Sequence, residues 1–303
     1  MGDTKIEWAD KTWNPIRGCS RVSRGCEHCY AETFAARFTK QGQPYEDLAY
    51  RNESGAHWTG KVKLIEKHLN DPLKWRKPQR VFVNSMSDLF HESIPDEWID
   101  KIFAVMAYGP QHAFQVLTKR PARMREYLSC REGRRVVIGG LGAIWTHTAS
   151  WPLPNVWLGV SVEDQKTADE RIPLLLETPA AVRWISAEPL LGPVEFSNVT
   201  NRSDAVKRLG KGSLDGIHWV VVGGESGHGA RPMHPGWARS LRDQCQAAGV
   251  PFFFKQWGEY GPMPAGMLEI NSNFRADDPY RFGKKAAGRL LDGREWNEYP
   301  KGT

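Results

Sequence analysis

Three cysteines fall within eleven residues near the start of the chain. Cys19, Cys26 and Cys29 have the spacing Cys-x6-Cys-x2-Cys and are three of only five in the protein. Thiols this close on one loop suit a single metal centre, and their number matters. A closed zinc site or an ordinary electron-transfer cluster takes four protein ligands, whereas three thiolates on a 4Fe-4S cluster leave one iron open to bind something else. The loop carries Arg17, Arg21 and Arg24 against one acid, Glu27, and positive charge beside thiolates favours their ionised form. Gly18 and Gly25 offer tight turns. Tyr30 opens an Ala-rich helical run whose N-terminus adds positive potential. Three readings stand: a site-differentiated 4Fe-4S cluster, zinc completed by a distant histidine, or buried free thiols. His28, between two of the cysteines, is too close along the chain to join them at one tetrahedral ion. Cys130 and Cys245 are isolated and read as structural.

A second set of chemistry-bearing residues recurs with the pattern of the chain. Short apolar runs end in polar residues at 81–88, 113–120, 156–163, 182–188, 218–225 and 251–256. Their ends supply Asp88, Lys119, Arg120, Glu163, Glu188, Glu225 and Lys255. Runs dense in Val, Ile, Phe and Trp read as buried parallel strands. Helical patterns lie between them, at 96–108, 121–128, 165–177 and 237–248, the last closed by Gly249. Pro173 is expected to bend or restart the third of these. Strands alternating with helices define an α/β fold with right-handed crossovers. With one more strand near 12–16, the expectation is a (β/α) barrel, closed or partial, and the alternative is a flat doubly wound sheet. In (β/α) barrels, the strand C-termini build the active site. Mutual ion pairing explains any single member of the charged set equally well.

The elements that must hold these residues span most of the chain. The barrel is placed at 1–258, with a tail at 259–303 wrapping it through Leu290, Leu291, Trp296 and Tyr299. The stretch 40–80 reads as an insertion with a helix near 64–70, and 131–155 as a long loop. Gly223-Gly-Glu-Ser-Gly-His-Gly-Ala-Arg-Pro is a tight barrel turn or a cradle in which Glu225 and Arg231 bind a ligand. Composition, with 40% hydrophobic and 25% charged residues, is that of a soluble globular protein. No apolar run approaches the ~20 residues of a membrane span, and no apolar signal segment opens the chain, so a cytoplasmic location with reduced thiols is expected. The net charge of +6 is compatible with a polyanionic partner. Most of the thirteen tryptophans are expected in the core, with a few left to stack on bases or adenine.

A three-cysteine loop after the first strand of a (β/α) barrel resembles the radical S-adenosylmethionine (radical SAM) enzymes, which have a TIM-barrel-like fold. Their usual spacing is Cys-x3-Cys-x2-Cys, and the first gap here is six. The segments Trp13-Asn-Pro, Gly25-Cys-Glu-His-Cys-Tyr-Ala-Glu, Ser85-Met-Ser-Asp-Leu-Phe, Leu117-Thr-Lys-Arg-Pro, Gly159-Val-Ser-Val-Glu, Ser186-Ala-Glu-Pro-Leu and Gly223-Gly-Glu-Ser resemble a phage- and prophage-associated family of three-cysteine-motif proteins. The likeness runs from about Trp13 to Trp257. The radical SAM resemblance implies that Cys19, Cys26 and Cys29 hold a 4Fe-4S cluster whose open iron binds S-adenosylmethionine. An electron from the cluster would then generate a deoxyadenosyl radical. It implies that Asp88, helped by Ser87, meets the methionyl amine, and that Lys119 or Arg120 meets the carboxylate. Glu163 and Glu188 would bind ribose or substrate, and His28 or Tyr30 would pack on adenine. Lys119, Glu188 and Glu225 are the candidate catalytic groups. A nucleic acid or nucleotide is the expected substrate, with an electron donor as a further partner. The other class of reading is a non-enzymatic zinc- or iron–sulfur-binding module that recognises nucleic acid or a partner protein.

Overall fold

A computed structural model of the chain describes residues 4, 6–130, 151–199, 214–263, 275 and 277–300. Its architecture is mixed α/β. Seven parallel strands follow the order of the chain: Lys11–Trp13 (β1), Arg80–Val83 (β2), Ala113–Thr118 (β3), Val156–Ser161 (β4), Val182–Ala187 (β5), Trp219–Gly223 (β6) and Phe252–Gln256 (β7). Helices Tyr30–Ala35 (α1), Asp96–Tyr108 (α2), Pro121–Ser129 (α3), Gln165–Glu177 (α4) and Pro235–Ala248 (α5) lie between them. The chain divides into two compact units, one of residues 1–160 and 177–183, the other of 161–176 and 184–302.

In the first unit, β1 pairs β2 with Lys11 opposite Val81, β2 pairs β3 with Val81 opposite Phe114, and β3 pairs β4 with Phe114 opposite Val156. Every residue of β4 is buried, as strands covered on both faces require. Pro95 precedes α2 in extended backbone, and Asp96 and Glu97 place negative charge in its first turn, where the helix dipole favours it. Ile99, Ile102, Phe103 and Met106 then fall on one buried stripe.

Between β1 and β2 the chain makes a layer of its own. Ile16–Arg17 pairs antiparallel with Lys63–Leu64, and Ala49–Asn52 forms a hairpin with Gly55–Trp58. These strands and α1 close over a small core of Ala31, Ala35, Tyr45, Leu48, Ala49 and Met86. The helix expected near 64–70 is instead a pair of single 3-10 turns, Glu66–His68 and Pro72–Lys74. Pro72 supplies no N–H, which shortens the helical run.

In the second unit, β5 pairs β6 with Trp184 opposite Trp219, and β6 pairs β7 with Val220 opposite Phe252. Trp184 and Trp219 lie 5.3 Å apart, and Tyr299 stacks on Trp219 at 5.4 Å. Near the end of the chain Leu291 and Trp296 are buried, whereas Leu290 is exposed. The reason is local: its carbonyl, not its side chain, faces inward and accepts from Trp257 Nε1 at 2.8 Å. α5 starts two residues earlier than the sequence pattern suggests because Pro235 suits a first helical turn and the His234 ring accepts the Gly236 N–H. It ends on left-handed Gly249, φ 67°. α4 runs through Pro173 as one helix.

The tryptophans are largely structural. Trp8, Trp13, Trp157, Trp184, Trp219 and Trp257 are among the largest fully buried side chains, so they are not surfaces for stacked bases. Residues 131–150 of the expected long loop lie outside the described residues, while Trp151 and Leu153 are buried. No described helix is long and apolar enough to cross a membrane.

Candidate metal centre

The three cysteines sit on a loop held at both ends. Before it, Asn84 N–H donates to the Trp13 carbonyl at 2.8 Å. The Asn14 side-chain oxygen accepts from Ser85 Oγ and Met86 N–H, both at 3.1 Å. Gly18 pairs with Ser87 in an isolated parallel bridge, and Ser87 Oγ donates to the Ile16 carbonyl at 3.1 Å. The turn at Gly18 has φ +92°, and a Cβ there would lie 2.1 Å from the Lys61 carbonyl oxygen. Only glycine fits. Gly25, by contrast, forms the middle of a 3-10 turn, Arg24–Cys26. After the loop, Cys29 caps α1, and the Tyr30 hydroxyl donates to the Ser85 carbonyl at 2.7 Å.

None of the thiols is in a disulfide, and the charge of Cys29 adds to the rise of Cys19, as that of Cys26 does to the rise of Cys29. Cations surround them. Arg120 acts on Cys19, Lys119 on Cys29, and Arg21 interacts with both Cys26 and Cys29. The backbone of Glu32 and Ala31 at the start of α1 opposes the rise of the Cys29 thiol, although the Cys29 side chain makes no capping hydrogen bond. Burial nevertheless dominates. It pushes the Cys19 thiol up to about 12, with Asp88 adding to the rise and Arg120 opposing it, and it raises the Cys29 thiol too. Both are neutral at physiological pH unless a cation displaces their protons.

Glu32 organises the outer side. Its carboxylate is buried and accepts from Arg21 Nη2 at 2.6 Å and from the Trp58 N–H at 2.7 Å, tying loop, helix and hairpin together. On the inner side lies a denser network. Asp88 Oδ1 accepts from Phe90 N–H at 3.0 Å and Thr118 Oγ1 at 2.7 Å; Oδ2 accepts from Lys119 N–H at 3.0 Å and Arg120 Nη1 at 3.1 Å. Arg120 in turn donates to Glu92 Oε2 at 2.6 Å, to the Ser20 carbonyl at 3.2 Å and to Ser20 Oγ at 2.7 Å, and its Nη1 is 4.0 Å from Cys19 Sγ. Burial raises the Glu92 carboxyl, but the Arg120 bond and charge outweigh it and bring Glu92 down to about 2.

His91 completes this network, and its tautomer follows from its partners. Ser93 N–H donates to Nδ1 at 3.1 Å, so the proton is on Nε2, which donates to Ser20 Oγ at 2.9 Å. Ser20 can then donate its own proton to Glu92 Oε1, at 3.2 Å. Ser20 and His91 therefore resemble a nucleophile and its base only in distance, because the imidazole is the donor. Ser20, Glu32, His91 and Glu92 were not singled out in the sequence. A signal was present in His91-Glu92, polar residues set directly after the apolar pair Leu89-Phe90.

The structure thus brings Cys19, Cys26, Cys29, Tyr30, Ser87, Asp88, Lys119 and Arg120 together, with half-buried His28 on the same loop. Glu163, Glu188 and Glu225 belong to the second unit. There each carboxylate has a cation partner: Arg171 to Glu163 at 3.2 Å, Lys255 to Glu188 at 2.6 Å and Arg231 to Glu225 at 2.7 Å. Glu225 Oε2 also accepts the Arg231 N–H at 2.8 Å, folding the glycine-rich segment back on itself. Among the described residues, no group of three or more His, Cys, Asp or Glu side chains is placed to hold one metal ion.

A loop carrying three thiols is thus fastened to the ends of β2 and β3 in an alternating α/β fold. The chain belongs to the family described as a protein of unknown function (DUF5131), whose model matches residues 3–300. No curated protein and no solved structure matches it.

Proposed function

We propose that this protein is an iron–sulfur enzyme of radical SAM type, whose three thiols hold a 4Fe-4S cluster and whose substrate is a nucleic acid or a nucleotide. The observation that carries the reading is the charge around the thiols. Three thiols on one loop are set near cations: Arg120 Nη1 is 4.0 Å from Cys19 Sγ, and the charges of Arg120 and Lys119 oppose the burial that raises Cys19 and Cys29, surroundings that suit an anionic cluster bound by thiolates. Cubane ligands sit on separate irons, so they ring the cluster and do not converge on one ion. When bound and reduced, such a cluster supplies the electron that cleaves S-adenosylmethionine.

The residues of the chain divide the remaining work. Cys19, Cys26 and Cys29 are the ligands. Ser87 and Tyr30 fasten the loop to the end of β2. Asp88 and Arg120, whose polar atoms are engaged with protein, hold the loop in place, and Lys119, whose charge reaches Cys29, is the cation assigned to a ligand carboxylate. His28 is the aromatic group on the loop available to adenine. Glu188 and Glu225 would meet substrate only by exchanging Lys255 and Arg231 for it.

A second reading has an observation of its own. The four strand-end carboxylates Asp88, Glu163, Glu188 and Glu225 are all ion-paired, as a purely structural role requires, so a non-catalytic metal-binding module is the alternative. Anaerobic reconstitution separates the two. The enzyme reading expects iron near the ~4 per chain of one cubane and release of deoxyadenosine from S-adenosylmethionine under reduction. Stoichiometric zinc with no iron uptake sinks it.

A further inference from the structure

The excess positive charge of the chain is concentrated in one short stretch. Between Lys61 and Arg80 there are seven cations, Lys61, Lys63, Lys67, Lys74, Arg76, Lys77 and Arg80, and only two carboxylates, Glu66 and Asp71, while the whole chain has a net charge of +6. Folding uses few of these cations. Arg80 is bonded to Asp10 at 2.7 Å and Lys74 to Asp71 at 3.0 Å. Asp71 also bonds His68, and Glu66 faces Lys101. Lys61, Lys63, Lys67, Arg76 and Lys77 are exposed and make no ion pair among the described residues. Elsewhere in this unit Arg21, Arg123 and Arg125 each hold a carboxylate, and exposed Arg37 and Arg51, which hold none among the described residues, are not part of such a cluster.

The stretch is also fixed in place. Ile65 N–H donates to the Pro15 carbonyl at 2.7 Å, Trp13 Nε1 donates to the His68 carbonyl at 2.8 Å, and the His112 ring nitrogen Nε2 lies 3.1 Å from the Pro72 carbonyl. It starts beside the cysteine loop, since Lys63 pairs with Arg17 and the Lys61 carbonyl abuts Gly18. A clamped backbone carrying five free cations and no free carboxylate matches a uniform row of phosphates. A protein partner is met by a patch with an apolar centre and groups of both signs.

We infer that the surface from Lys61 to Lys77 docks the phosphate backbone of a nucleic acid. It gives the substrate class proposed above a place to bind, and it rests on that reading for this link alone. Binding is read with metal-free full-length protein. Failure to bind removes the surface and leaves the cluster chemistry standing; failure to load iron does the reverse.

The experiment measures anisotropy of labelled single-stranded and duplex oligonucleotides of about 20 residues, between about 50 and 200 mM salt. It compares wild type with Lys61→Glu/Lys63→Glu and with Arg76→Glu/Lys77→Glu. Lys284→Glu/Lys285→Glu, in the tail, is the control for total charge. Thermal melts establish that each variant is folded. Each test pair is expected to weaken binding about tenfold or more and to make the slope of log K against log salt shallower by roughly 1.4 to 1.8, as for two lost phosphate contacts. No wild-type binding at the lowest salt, test pairs that bind as wild type, or a control that loses as much overturns it.

Discussion

The Arg120 guanidinium donates to the Ser20 hydroxyl at 2.7 Å and to the Ser20 carbonyl at 3.2 Å, joining the second residue after β3 to the residue after Cys19. The same group is held by Asp88 and Glu92. Three segments far apart in sequence are thereby fastened by one planar cation, whose fork of donors serves several acceptors at once. This one side chain holds the inner side of the cysteine loop at Ser20.

Replacing Arg120 should accordingly cost more than a surface ion pair. Arg120→Gln leaves the Asp88 carboxylate buried without its cation and is expected to destabilise by about 3 kcal/mol, in the range for breaking a buried pair. Arg120→Lys keeps the charge but loses the fork, and about half that loss is expected. Urea unfolding reads both values, and limited proteolysis within 17–29 reads the loop. Equal stability of wild type and Arg120→Gln would show that the network is decorative.

Thiol reactivity offers an independent check, since the thiolate is the species that reacts. Burial raises Cys19 to about 12 and lifts Cys29 as well, whereas Cys130 is exposed at the end of α3. In folded, metal-free protein at neutral pH, iodoacetamide should modify Cys130 first, with Cys19 and Cys29 at least about tenfold slower. Peptide mass spectrometry over a time course gives the order. If Cys19 reacts first, its surroundings favour the thiolate and the burial argument fails.

Much of this was legible in the sequence, and what was not has physical causes. α2 matches its expected bounds because Pro95, the first-turn acids and the apolar spacing all agree. The strand cores were readable because buried parallel strands are continuous apolar runs. The roles of the charged residues at their ends were not. That Asp88 is bonded to Thr118 and Arg120, or Glu188 to Lys255, depends on contacts 30 to 67 residues apart, which no local pattern encodes. Glu32 was hidden for the same reason: a carboxylate in a short helix looks exposed until the Trp58 N–H is seen on it. The tryptophans mislead in the other direction, because an aromatic residue suits a core and a base equally well until its burial is known.

Gly18 provides a test of the backbone itself. Alanine there faces both a positive φ and a Cβ 2.1 Å from the Lys61 carbonyl oxygen. Strain and overpacking together are expected to cost about 3 kcal/mol or more. The change should also loosen the pairing of Arg17 with Lys63 next to the first cysteine. Gly42→Ala, with positive φ but open space around it, isolates the strain, and only about 1 kcal/mol is expected. Comparable urea midpoints for the two variants would mean that the Lys61 carbonyl moves aside freely.

His91 makes stability depend on pH near neutrality. Burial lowers its pKa from the ordinary 6.5, and the Arg120 charge lowers it further, against the opposing pull of Glu92 and Asp88. The native ring therefore stays neutral while the unfolded chain takes up a proton at about 6.5. Its contribution is complete above that value and is lost as pH falls from there toward the lowered native pKa. Protonation would also turn Nδ1 from the acceptor of the Ser93 N–H into a donor facing it. His112 shares the direction through burial, so removing His91 should flatten only part of the decline. His91→Gln, compared with wild type by urea unfolding at about pH 7.5, 6.5 and 5.5, is expected to be less stable at the highest pH and to close the gap as pH falls. A gap that stays constant across the series would show that His91 titrates alike in both states.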